Sequence, residues 1–247
     1  MSINSEFTFI DLFCGAGGLS LGFQRSGFRC ACAIDSDRAA VETYKLNFQD
    51  HILRDKITEK TRLVSADVII GGPPCQGFSS AGMRCSDDKR NSLVRVFSEL
   101  VARNKPKAFV FENVEGFLTA DKGERILDLL TPLVQVGYRI HLRKVNAANF
   151  GVPQHRKRVI AIGALGWDPT YPEATHMAFG APGAAKVFRH LPRCPTVEDV
   201  LMGLPQPTLD PPGMPQGHYV RRLSELDVKR IELLKPGQSM KDLPEEL

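Results

Sequence analysis

The chain has 247 residues, 43% hydrophobic and 24% charged, the proportions of an ordinary globular protein with room for one α/β domain and a smaller appendage. No apolar run reaches bilayer length and residues 1–8 are polar with no signal-peptide core, which argues against a membrane protein and for a cytoplasmic one. The net charge of +4 is too small to imply a nucleic-acid partner by itself.

Residues 7–165 alternate strand-like and helix-like segments. Phe7–Leu12 reads as a buried strand, and Gly17–Ser26 as a helix that Gly27 is suited to end. Phe28–Ile34 reads as a strand and Ser36–Phe48 as a helix. Asp67–Ile70 is a short apolar strand running into Gly71-Gly72-Pro73-Pro74, which no helix or strand interior accepts. Ser92–Asn104 is helical and stops before Pro106. Ala108–Phe111 is a strand, and Glu124–Val136 is helical in pattern with Pro132 placed to kink or split it. Arg139–Val145 and Val159–Gly163 read as late strands. This alternation implies α/β architecture, a mostly parallel, doubly wound sheet with helices on both faces.

After Leu165 the character changes. Twelve of the seventeen prolines fall between Trp167 and Leu247, and periodicity is weak apart from Ser224–Leu234. The expected division is therefore 1–165 and 166–247, the second region rich in loops of the kind that carry recognition. From Arg139 to Arg158 inclusive there are six Lys or Arg and no Asp or Glu, a stretch able to neutralise phosphates or to serve as a solvated surface. The six cysteines include no C-x-x-C pair, which predicts free thiols and no metal site.

Four motifs carry chemistry. Asp11-Leu-Phe-Cys-Gly15-Ala-Gly17-Gly18 is a glycine-rich strand-to-helix turn that lets backbone approach a ligand, and Asp35 ends the next strand, where a carboxylate can bond ribose hydroxyls. A dinucleotide site would want glycine where Ser20 stands. Asp11 suits a cofactor with an amino-acid tail better than a pyrophosphate. In Gly71-Gly-Pro-Pro-Cys75-Gln-Gly-Phe-Ser79, two prolines stiffen the backbone just before a thiol, which is useful for a nucleophile that must meet one atom. Phe111-Glu112-Asn113-Val114 places a carboxyl at a strand's end, where it can act on a ring nitrogen or merely cap a helix. Gln154-His-Arg156-Lys-Arg158 offers arginines for phosphate or for holding a carboxylate.

In this order the four motifs resemble those of the DNA cytosine-C5 methyltransferases, from Phe9 to about Gly163. The resemblance implies a Rossmann-like domain binding S-adenosyl-L-methionine, joined to a small target-recognition region. It implies that Cys75 adds to carbon 6 of a cytosine flipped out of duplex DNA, that Glu112 faces N3 and the exocyclic amine, and that Arg158 and Arg156 steady them. Asp11, Phe13, Gly15, Gly17, Asp35, Ser36, Asp55, Pro74 and Leu93 are the expected cofactor residues. Gln76, Ser79, Arg84, Arg90 and Asn113 are the expected DNA contacts, the first four on or beside a loop, 78–91, that resembles the family's mobile loop.

The sequence departs from the family's pattern in lacking the R-E-x-x-R-L-Q and G-N-x-V segments. A naturally split enzyme, completed by a second polypeptide, is the expectation, with a truncated chain as the other explanation. The rival functions are a non-catalytic subunit that binds cofactor or DNA, methylation of cytosine in tRNA, and, remotely, a nicotinamide oxidoreductase.

Overall fold

A computed structural model describes residues 7–48, 51–74, 93–178, 188, 190–205, 220, 222–235 and 238–244. By its internal contacts the chain divides into two compact units, Met1–Thr196 and Val197–Leu247.

The first unit is built on a seven-stranded sheet. Its strands are β1 (Thr8–Leu12), β2 (Arg29–Asp35), β3 (Ile52–Arg54), β4 (Val68–Gly71), β5 (Ala108–Val114), β6 (Tyr138–Asn146) and β7 (Lys157–Leu165). Their order across the sheet is β3-β2-β1-β4-β5-β7-β6. The pairs among the first five strands are parallel, whereas β7 runs antiparallel between β5 and β6. The helices of this unit are α1 (Gly18–Arg25), α2 (Arg38–Phe48), α3 (Leu93–Asn104) and α4 (Glu124–Gln135). The strand order reverses between β1 and β4, and it is outside the carboxyl ends of the strands at such a reversal that open α/β sheets bind ligands.

Alternation along the strands sorts the core into two layers. Ile10, Leu12, Ile69, Phe109, Phe111, Val159 and Ala161 join Phe97 and Leu100 of α3 and Leu129 and Leu133 of α4 in one cluster. Phe9, Ala33, Val68 and Ile70 join Val41 and Tyr44 of α2 in the other. Phe9, Phe97, Phe109, Phe111 and Phe117 are wholly buried. At about 1.5–3 kcal/mol for each large apolar side chain, these rings are a large part of what holds the sheet to its helices. The Ser98 hydroxyl donates to the Leu129 carbonyl at 2.7 Å and so ties α3 to α4 within the apolar contact.

Three elements differ from the sequence expectation. β3 was not among the expected strands. β5 runs on to Val114, three residues past Phe111, because antiparallel β7 pairs with it up to Val114↔Arg158. α4 is one continuous helix through Pro132; its buried Leu129 and Leu133 flank the proline and keep their packing on the core.

The stretch that follows β7 stays with the first unit. Thr175 and His176 donate their backbone N–H to the Asn149 carbonyl at 2.9 and 3.0 Å. Ala148, Ala178 and Cys194 form a small buried cluster of their own. The compact unit therefore ends at Thr196, whereas proline content changes at Leu165. The second unit holds α5 (Val197–Leu201) and α6 (Glu225–Leu233). The Ser224 hydroxyl caps α6 by accepting from the Asp227 N–H at 3.1 Å, and neither helix buries a residue. No helix among the described residues is long and apolar enough to cross a membrane.

Candidate active site

A cavity of about 550 Å³ opens at the carboxyl ends of the parallel strands, lined by Phe13, Asp35, Ser36, Asp55, Lys56, Ile57, Thr58, Gly72, Pro74 and Leu93. That volume suits a nucleoside-sized ligand. Its floor is shaped by the turn after β1. Phe13 sits at φ 60 and Gly15 at φ 55, a left-handed conformation that glycine takes freely and a bulky residue takes only where its surroundings hold it. The Asp35 carboxylate holds the turn: it accepts from the Gly15 N–H at 2.8 Å with one oxygen and from the Asp37 N–H at 2.8 Å with the other. The Asp55 N–H donates to the Asp35 carbonyl at 3.0 Å, so the ends of β2 and β3 are joined at the rim.

Six of the nine expected cofactor residues line this cavity: Phe13, Asp35, Ser36, Asp55, Pro74 and Leu93. Asp11 and Gly17 are placed differently. Asp11 is fully buried beneath the turn, where its Oδ2 accepts from the Ser20 hydroxyl at 2.6 Å and its Oδ1 finds no hydrogen-bond partner among the described residues. Tyr44 donates to that Ser20 hydroxyl at 2.9 Å, and His51 Nε2 meets the Tyr44 hydroxyl at 3.0 Å. A chain of side chains thus runs inward from His51 to the Asp11 carboxyl. Burial pushes the Asp11 carboxyl up to about 7, partly offset by its bonds with Ser20. Burial also pushes the Cys14 thiol and the Tyr44 hydroxyl above their ordinary ranges. Gly17 caps α1 at φ 95 under the ring of Phe48, where an added Cβ would come within 2.3 Å of a ring carbon. It makes room for helix packing rather than facing the cavity.

Lys56, Ile57, Thr58 and Gly72 also line the cavity and were not among the expected residues. The first three directly follow Asp55, so the strand end that predicts Asp55 also points to them.

The sheet brings the other motifs to the same edge. Glu112 and Asn113 stand near the end of β5, opposite Ile160 and Val159 at the start of β7. Arg158 Nε meets Glu112 Oε1 at 2.7 Å, both side chains partly buried. A second bond from the same guanidinium reaches the Lys157 carbonyl at 2.8 Å. This charge-assisted contact fixes the carboxylate. Glu112 also lies against Gly72, where an added Cβ would stand 2.9 Å from Glu112 Oε2. Arg156 is exposed, and its backbone carbonyl accepts from the Ala147 N–H at 2.9 Å. Arg158 alone of the two arginines pairs with Glu112 among the described residues.

Asn113, expected to touch DNA, is only 4% exposed. Its Nδ2 donates to the Pro73 carbonyl at 2.9 Å, and its Oδ1 accepts from the Val114 N–H at 2.9 Å. Both ends of the amide are thus engaged inside the protein. Cys75, Gln76, Ser79, Arg84 and Arg90 lie outside the described residues. Within the basic stretch, Lys144 is paired with Glu115 at 2.8 Å and Arg143 lies over the ring of Tyr171 at 4.7 Å, so part of its charge is already engaged.

The sheet and its strand-end cavity define a Rossmann-like α/β domain. The chain belongs to the C-5 cytosine-specific DNA methylases, whose family model matches residues 7–186. It is 34% identical over 255 residues to the type II methyltransferase M1.HphI of Haemophilus parahaemolyticus, across 98% of this chain and 64% of that relative. It is 35% identical over 249 residues to the type II methyltransferase M.AquIA of Picosynechococcus sp., across 92% of this chain and 98% of that relative. Among solved structures, a protein described as an E. coli prophage-encoded DNA modification methyltransferase superposes with a TM-score of 0.63 at 31% identity, over 81% of this chain and 56% of that one. The chain therefore spans less than two thirds of M1.HphI and nearly all of M.AquIA. Members of this family use S-adenosyl-L-methionine as methyl donor.

Proposed function

We propose that the chain methylates carbon 5 of cytosine within a specific sequence of double-stranded DNA. The observation that carries the reading is the meeting of three motifs at one strand edge. Glu112 is held by Arg158 at 2.7 Å and packs on Gly72, in the strand-end segment that leads to Cys75 and contributes Gly72 and Pro74 to the cavity.

The cavity lining fits S-adenosyl-L-methionine. Phe13, Ile57, Pro74 and Leu93 supply apolar walls for a purine, and the Asp35 carboxylate, set at the end of β2, suits ribose hydroxyls. Bound there, the cofactor supplies an electrophilic methyl group. Gly15 and Gly17 act through the shape of the turn. Asp11 acts from beneath it.

Carbon 5 of cytosine is a poor nucleophile, and the protein's task is to make it a better one. The Cys75 thiolate bonds to carbon 6, and the ring's electron pair moves toward carbon 5. Glu112, oriented by Arg158, meets N3 and the exocyclic amine and stabilises charge as it shifts. After methylation, loss of the carbon 5 proton expels Cys75 and restores the aromatic ring. None of this can happen inside a stacked duplex, so the base is flipped out. Gln76, Ser79, Arg84 and Arg90 are the side chains assigned to the opened strand. The exposure of Arg156 supports a role at a phosphate rather than at Glu112. We assign the recognition region to the chain beyond the sheet, after Leu165, and the protein to the cytoplasm.

We further propose that a second polypeptide supplies the remaining recognition and cofactor-binding segments. M.AquIA, named a type II methyltransferase, is matched over 98% of its own length, so at least one relative is of similar extent. The test is transfer of labelled methyl to mixed-sequence duplex DNA, by this chain alone and with candidate partner chains encoded beside it. Transfer to duplex DNA is expected only with a partner. Transfer by the chain alone would end the two-polypeptide proposal, and transfer to tRNA but not to DNA would end the DNA reading.

A further inference from the structure

We infer that Asn113 is a positioning residue for the Cys75 nucleophile, anchoring the backbone from which the thiol is presented. The inference rests on the cytosine-methylation reading and carries it to the loop's attachment.

The parallel ladder between β4 and β5 ends at Gly71↔Phe111. Two residues further along each strand stand Pro73 and Asn113. A proline has no N–H to continue a ladder, so the consecutive prolines 73 and 74 leave their segment with carbonyls as its only backbone hydrogen-bonding groups. Pro73 is buried, where an unpartnered carbonyl is costly. The Asn113 side chain meets that need. It donates to the Pro73 carbonyl at 2.9 Å, across 40 positions of sequence, and so gives that carbonyl a partner beyond the end of the ladder.

The neighbouring residue completes the fit. Gly72 has no Cβ to collide with Glu112 Oε2, which would lie 2.9 Å from it. The segment is thus keyed to β5 at successive residues, by shape at Gly72 and by a hydrogen bond at Pro73. Cys75 follows two residues later, and a proline at 74 restricts the rotation available between anchor and thiol. A misplacement of about 1 Å in a reacting group can cost about 100-fold in rate, so the anchor bears on turnover without touching the base.

The two roles of the Asn113 amide are separable. In the Asn113→Asp variant the carboxylate still accepts from the Val114 N–H but, when ionised, cannot donate to Pro73. Burial raises a carboxyl's pKa, so at low pH the protonated side chain regains an O–H donor. The experiment measures methyl transfer by wild type and variant, in the active assembly, from pH 6 to pH 8.5. Relative to wild type, kcat of Asn113→Asp is expected to fall at least tenfold at pH 8.5 and to recover as the pH is lowered, with the cofactor KM within about twofold. An unchanged kcat, or a loss that does not vary with pH, would overturn the inference.

Should Asn113→Asp fail to fold, Asn113→Ser, whose hydroxyl is too short to span the same gap, is expected to lose kcat at least tenfold at every pH; full activity there would also overturn it. Hydrogen exchange of the backbone amides around residues 69–80 reads the anchor without catalysis. Exchange in Asn113→Asp is expected to exceed wild type at pH 8.5 and to match it at pH 6, and equal protection at both would refute the anchor. Failure of the wild-type enzyme to methylate DNA would instead overturn the functional reading and leave the exchange result to judge the anchor.

Discussion

Replacing Asp11 by Asn is expected to stabilise the protein increasingly as the pH rises. The Asp11 carboxyl is wholly excluded from solvent, accepts from the Ser20 hydroxyl at 2.6 Å and leaves Oδ1 without a partner among the described residues. Burial, with the nearby Asp35 charge as a lesser cause, raises it from 3.8 to about 7. The folded state therefore holds a proton that the unfolded chain gives up. The contribution to stability is full below about pH 4 and is lost as the pH rises through about 7. At about 1.4 kcal/mol per pH unit, the whole loss is about 4 kcal/mol, of which about 2.5 kcal/mol falls between pH 5 and pH 8. Asparagine keeps a carbonyl to accept from Ser20 but does not titrate, and the cost of its own unpartnered NH₂ is the same at every pH. Urea unfolding of both proteins at pH 5 and at pH 8, followed by far-ultraviolet circular dichroism, gives the difference directly. The stability difference is expected to move in favour of Asp11→Asn by about 2.5 kcal/mol over that interval. Parallel pH profiles would show that Asp11 is ionised in the folded state and that the reasoning from its burial is wrong.

Other substitutions follow from the same geometry. Tyr44→Phe removes the hydroxyl that donates to Ser20 at 2.9 Å and meets His51 at 3.0 Å; it is expected to lower the unfolding free energy by about 1–3 kcal/mol, and an unchanged denaturation midpoint would sink that view of the chain of hydroxyls. Asp35→Asn replaces one of the two oxygens that accept from Gly15 and Asp37 and is expected to weaken S-adenosyl-L-methionine binding at least tenfold by calorimetry; wild-type affinity would remove Asp35 from the cofactor site. Arg158→Lys keeps a positive charge but loses the guanidinium that bonds Glu112 at 2.7 Å and the Lys157 carbonyl at 2.8 Å. Because the planar fork orients while an ammonium does not, kcat is expected to fall at least tenfold with little change in cofactor affinity. A reduced affinity with unchanged kcat would place Arg158 elsewhere in the reaction.

Apart from the three-residue β3, too short to show a period, the order of strands and helices in the first unit was legible because buried parallel strands and amphipathic helices leave different periods, and because Gly71-Gly72-Pro73-Pro74 can end a strand but not continue one. The cavity was legible for a related reason. Phe13, Asp35, Asp55 and Pro74 each stand just past a strand end, and in a parallel sheet those ends gather at one edge. Asn113 is buried where an exposed contact was expected, because the strand before it was taken to stop at Phe111. Once β5 extends to Val114, Asn113 falls on the same face as Phe109 and Phe111, both fully buried, and a buried amide needs an internal partner. The burial of Asp11 was not legible, because what covers a strand's last residues depends on how the neighbouring helices pack. Only the packing of Ser20 and Tyr44 reveals that it points inward. Leu165 marks a change in composition, but backbone bonds from Thr175 and His176 to Asn149 are long-range pairings that no local pattern announces.

The most direct test of the whole account is covalent capture. Duplex DNA containing 5-fluorocytosine blocks the final step, because fluorine at carbon 5 cannot depart as the proton does, and any thiol bonded to carbon 6 is then trapped. With S-adenosyl-L-methionine and the completed assembly present, the wild-type chain is expected to form a denaturation-resistant complex whose cross-linked peptide contains Cys75, while Cys75→Ala forms none and still binds the cofactor. A complex that persists in Cys75→Ala, or one that maps to another residue, would contradict the assignment of Cys75 as the nucleophile on which the mechanism is built.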